Sequence, residues 1–96
     1  MNRYLVIDGV LNGTGIRNYY EGGYINPKDL NLSAGLLQLI NEWLSKYWEA
    51  FYLDYNDKLS VDALDAEGER IARLVQGELG GKVWYYSDAT QQKKML

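Results

Sequence analysis

The chain has 96 residues, enough for one domain with a modest core, and its 47% hydrophobic and 14% aromatic content is too high for a disordered segment. It holds no Cys and no His, which excludes a disulfide framework, a thiolate metal site and any Ser-His-Asp or Cys-His nucleophilic arrangement within the chain. Net charge is −3, and the aromatic residues are mostly Tyr, whose ring packs while its hydroxyl stays wet, a character suited to half-buried positions and interfaces.

Residues 3–8 are a β-branched and aromatic run stopped by Gly9 and read as a buried strand. The apolar part, Tyr4 to Ile7, is too short for a signal peptide or a membrane span, so a cytoplasmic protein with no membrane partner is expected. The stretch Tyr4-Leu5-Val6-Ile7-Asp8-Gly9 resembles the first motif of haloacid dehalogenase-type phosphatases. Val6 stands where that family has its nucleophilic Asp, so covalent phosphoryl transfer is not expected. Residues 9–15 carry turn chemistry, residues 16–20 read as a second strand, and Asn26-Pro27 starts a turn. Gly13-Thr14-Gly15 lacks the third Gly and the Lys of a phosphate cradle.

Ser33 is placed to cap a helix running from Ala34 to about Tyr52. Its apolar stripe is Leu36, Ile40, Trp43, Tyr47 and Phe51, widened by Leu37, Leu44 and Trp48. Residues 53–59 read as a polar loop. A second helix, capped by Ser60 or Asp62, ends at Gly80-Gly81 and carries Leu64, Ile71, Val75 and Leu79 on its apolar stripe. Gly68 occupies the stripe position between Leu64 and Ile71. A helix-interior Gly costs about 1 kcal/mol against Ala, so its presence points to close approach by a bulky neighbour such as a Trp of the first helix. Residues 82–87 are the clearest strand, and residues 90–96 read as a frayed polar tail. This order predicts a single α+β domain over residues 1–96: two layers, with a small sheet of about three strands and two helices packed on one of its faces.

Charge is uneven along the chain. Residues 41–81 hold nine acids against four bases, and residues 82–96 hold three bases against one acid. Within the acidic part Trp48, Glu49, Tyr52, Asp54, Tyr55, Asp57, Asp62 and Asp65 interleave carboxylates with aromatics. Carboxylates early in a helix are favoured by its dipole. The interleaved rings add what a solvated face does not need: contact area for a partner that the charge would steer in. These eight residues are the candidate partner-binding set, and the partner they suit is basic protein. Direct nucleic-acid binding is not expected, because phosphate needs a basic patch. The tyrosines at 19, 20 and 24 in the Gly-rich segment are the next candidate surface. Residues 54–65 place Asp54, Asn56, Asp62 and Asp65 where an EF-hand has ligands, but Lys58 replaces a ligand and Leu59 the turn Gly, so no metal and no other cofactor is expected.

Residues 23–33 before the first helix, then Leu64-Asp65-Ala66-Glu67-Gly68-Glu69-Arg70-Ile71-Ala72, Glu78-Leu79-Gly80 and the strand Val83-Trp84-Tyr85-Tyr86, resemble a group of small acidic bacterial immunity proteins. Several of these belong to contact-dependent growth inhibition systems. The resemblance implies a protein that is no enzyme and that neutralises a cognate toxin domain, a basic nuclease, by blocking its active site. It transfers no binding residue. The alternative is a phage-encoded or regulatory inhibitor acting as an acidic mimic of nucleic acid.

Overall fold

The computed structural model describes residues 3–96. In chain order the elements are β1 (Tyr4–Asp8), β2 (Ile16–Asn18), a 3-10 turn at Pro27–Leu30, α1 (Ala34–Tyr52), α2 (Lys58–Leu79), β3 (Lys82–Ser87) and β4 (Gln92–Met95). The sheet order is β2-β1-β3-β4, with β1 parallel to β3 and both edge strands antiparallel to their neighbours. A parallel pair needs a long crossover, and the α1–α2 hairpin lies within it, covering one face of the sheet. The fold is therefore the expected α+β arrangement of two helices on a small sheet, with four strands instead of three.

Strand alternation decides which residues meet the helices. Leu5, Ile7, Ile16, Val83 and Tyr85 join Leu36, Ile40, Trp43, Leu44, Tyr47, Leu64, Ile71, Ala72 and Val75 in one core. The residues between them point the other way. On that outer face Trp84 stacks on Tyr19 with centroids 4.0 Å apart, and Arg17 lies over the rings of both Tyr24 and Tyr86.

Local signals set the helix ends. Ser33 Oγ accepts from the Leu36 amide at 3.3 Å, while the Ser33 amide and hydroxyl each donate to the Glu78 carboxylate at 2.7 Å. The start of α1 is thus tied to the end of α2, and these bonds hold the Glu78 carboxyl below its ordinary value. Gly80 closes α2 at φ 74°, a backbone region that favours glycine. Gly68 is buried, and a Cβ there would collide with the Tyr85 ring and sit 2.8 Å from Trp43 Cζ2. The expected bulky neighbour is Trp43, with Tyr85 of the sheet beside it.

Three expectations change. Residues 92–95, read as part of a tail, form β4: its backbone pairs with β3, Lys94 reaches Glu69 at 3.0 Å and Lys93 lies over the Tyr19 ring. Helix α2 begins at Lys58 because Asp57, rather than Ser60 or Asp62, caps it and accepts from the Ser60 amide and hydroxyl. Residues 54–65 are consequently mostly helix, not an ion-binding loop. Finally, Phe51 leaves the core stripe and is 38% exposed. The reason is length. Helix α1 spans about 28 Å at 1.5 Å per residue, whereas strands of three to six residues reach about 20 Å at most. The helical hairpin outruns the sheet, and its turn end has no second layer to bury it.

Candidate functional site

The acidic segment divides at the point where the hairpin leaves the sheet. On the sheet side, Asp65 turns inward. Its Oδ1 accepts from the Tyr47 hydroxyl at 2.9 Å and the Tyr85 hydroxyl at 2.5 Å, and its Oδ2 accepts from Ser87 Oγ at 2.8 Å. The Ala89 amide donates to the Tyr47 oxygen and the Thr90 amide to Ser87 Oγ, so the network also fixes the turn after β3. Burial pushes the Tyr47 phenol up to about 12 and raises that of Tyr85, which keeps both hydroxyls protonated as donors. Asp65, one of the eight candidate residues, thus has its carboxylate engaged within the fold.

Trp48 and Tyr55 are half-buried and also tied to the body. Trp48 Nε1 donates to the Val10 carbonyl at 3.1 Å, and the Tyr55 hydroxyl donates to Asp88 Oδ2 at 2.5 Å. Burial and the bond to Asp88 raise the Tyr55 phenol as well. Phe51 packs edge-on against both Tyr52 and Tyr55.

The remaining candidates, Glu49, Tyr52, Asp54, Asp57 and Asp62, are exposed together around the hairpin turn. Tyr52 is 72% exposed, Leu53 57% and Leu59 82%. Among the described residues, Glu49, Asp54 and Asp62 form no ion pair. Asp57 is held below the ordinary carboxylate range by its bonds to Ser60. Asp54 and Tyr55 both have left-handed backbone, φ 56° and 52°, which folds the chain back sharply enough to join two packed helices. Beside the turn a groove of about 380 Å³ opens between α1 and α2. Sequence reasoning missed Leu53 and Leu59 as parts of this surface. Their exposure follows from the overhang, which a stripe count on the helices does not reveal.

A second carboxylate site lies on the outer face of the sheet. Asp8 is fully buried, with Arg17 Nε 2.8 Å from its Oδ2, while the Tyr24 hydroxyl and the Val10 amide donate to its Oδ1 at 2.9 and 3.2 Å. The guanidinium N–H does not point along the line to Oδ2, so this contact is an ion pair more than an aligned hydrogen bond. Burial pushes the Asp8 carboxyl up against the opposing pull of Arg17 and these two donors. With both oxygens engaged and no solvent access, Asp8 organises the loop after β1.

Among the described residues no group of three or more acids converges on one point as a metal would require, and no helix is long and apolar enough to cross a membrane. Comparison with protein-family models, with curated proteins and with solved structures found no match to this chain.

Proposed function

We propose that this chain is an inhibitor of the immunity type, acting in the cytoplasm by binding a basic toxin domain and covering its active site, and that the turn end of the α1–α2 hairpin is the surface that binds. The observation that carries the reading is that Tyr52, Leu53 and Leu59 are exposed at the hairpin turn, in a stretch of chain that also exposes Glu49, Asp54, Asp57 and Asp62. Large apolar groups exposed together mark interaction surfaces. The carboxylates around them attract a basic partner from beyond contact range and raise the association rate, while Tyr and Leu supply contact energy after docking. A hairpin that overhangs its sheet also offers a convex end able to enter a nuclease cleft. The resemblance to small acidic immunity proteins supplies the biological class, and the binding chemistry stands on the surface itself.

The test is inhibition of a basic nuclease domain encoded beside this gene. Stoichiometric binding that abolishes cleavage, and that weakens when Tyr52 is changed to Ala and Leu59 to Ser together, is the expected result. Full inhibition by that double variant would move the binding surface away from the hairpin.

A further inference from the structure

The groove beside the hairpin turn is lined by apolar side chains, Val61 and Leu64 among them, by Tyr55, and by three carboxylates, Glu49, Asp57 and Glu67. One cation shares it. Lys46 Nζ lies 3.8 Å from Glu67 Oε1, near the outer limit for an ion pair, with its side chain mostly in solvent. The lining is therefore part apolar and net negative, three carboxylates against one loosely held cation.

We propose that this groove receives one arginine side chain of the basic partner and that Lys46 is a built-in competitor which sets the affinity. The proposal rests on the reading of the hairpin end as a protein-binding surface. Arginine fits each part of the lining. Its aliphatic stem covers apolar side chains, its planar guanidinium stacks on a tyrosine ring, and its fork of donors matches a carboxylate. A lysine ammonium is more strongly hydrated and has no plane to stack, so the apolar lining favours it less.

The probe is a short capped peptide, acetyl-Gly-Arg-Gly-amide, titrated into the isotope-labelled chain and followed by amide chemical shifts. Its counterparts carry citrulline or lysine in place of arginine. Saturable shifts at Glu49, Val61 and Glu67 are expected with arginine, weaker ones with lysine, and none above background with citrulline. Lys46→Met should tighten arginine binding about twofold to fivefold, the range of one exposed ion pair, and Glu67→Gln should weaken it by a similar factor. Lys46 is largely exposed and Glu67 partly so, and thermal unfolding of each variant checks that the fold is kept. Equal shifts with citrulline, lysine binding as tight as arginine, shifts confined to another face, or weaker binding by Lys46→Met would each overturn the proposal. The peptide also separates this inference from the broader reading. Arginine binding in the groove without inhibition of a basic nuclease retains the groove site and removes the immunity role, whereas inhibition with no peptide binding removes the groove site alone.

Discussion

Asp62 and Asp65 lie three residues apart on one helix, yet they belong to different regions of the molecule. Asp65 sits above the sheet and accepts three side-chain hydrogen bonds, from Tyr47, Tyr85 and Ser87. Asp62, nearly one turn nearer the start of the helix, is exposed. The contrast teaches that an acidic, aromatic-rich segment is not one functional unit. Where a second layer covers it, its carboxylates hold the fold; where the layer stops, they are free to face a partner. Substitutions in the covered part should therefore cost stability, and substitutions in the overhanging part should cost binding.

The largest effect is expected at Asp65. Asp65→Ala removes the shared acceptor of three hydroxyls, of which Tyr47 and Ser87 can still pair with each other at 3.3 Å, and a buried group left unpaired costs about 1–3 kcal/mol. Urea denaturation should show a loss on the order of 3 kcal/mol, reduced because the site is only half-buried. A loss below about 0.5 kcal/mol, the range of ordinary surface changes, would erase the distinction between the two regions. Gly68→Val comes next. Overpacking against Tyr85 and Trp43 should destabilise by about 1–3 kcal/mol in the same assay, and an unchanged midpoint would mean that this contact is slack.

Asp8 extends the comparison to a second covered carboxylate, through pH. Burial places its folded value above the ordinary 3.8. Between those two values the folded state holds more proton than the unfolded state, so stability falls as pH rises through that window. The contribution is complete below the ordinary value. Asp57 and Glu78, whose values are lowered, act in the opposite sense: their contributions are present above the ordinary value and lost as pH falls through the folded one. The informative quantity is therefore the difference between the native chain and Asp8→Asn, measured from pH 3 to 7. That difference should decline with rising pH, and one that is flat or increasing would mean that Arg17 outweighs burial.

The smallest stability effect belongs to the overhang. Glu49→Gln, Asp54→Asn and Asp62→Asn together should shift unfolding by no more than about 0.5 kcal/mol, since Asn tolerates the left-handed backbone at position 54 as Asp does. A larger loss in thermal or urea unfolding would place these carboxylates with Asp65.

Helix α1 was legible in the sequence to the residue, because Ser33 and the Leu36–Tyr47 stripe are local signals. Gly68 was legible because a glycine on an apolar stripe needs a reason. The inward role of Asp65 was also written there. Val61, Leu64, Asp65, Gly68, Ile71, Ala72 and Val75 follow the three-and-four spacing of one helix face, and Asp65 is the single acid on it. Counting charge along the chain hid this by grouping Asp65 with its neighbours in sequence. Strand β4 was not legible, because Gln92-Lys93-Lys94-Met95 lacks an alternating apolar pattern and is held mainly by backbone pairing to β3. The ion pair of Asp8 with Arg17 joins two strands through pairing register, which no local spacing encodes.

The most direct measurement is the association rate of the chain with a basic nuclease domain that it inhibits, followed by surface plasmon resonance at low and high salt, for the native protein and for the triple variant Glu49→Gln, Asp54→Asn, Asp62→Asn. Screening shortens the Debye length from ~10 Å at 0.1 M to ~3 Å at 1 M. The native on-rate should fall steeply with salt, and the triple variant at low salt should associate about tenfold more slowly, the lower end of electrostatic steering, with its off-rate little changed. Equal on-rates for the two proteins at low salt would contradict the account and direct the search to the outer sheet face around Tyr19, Tyr20 and Tyr24.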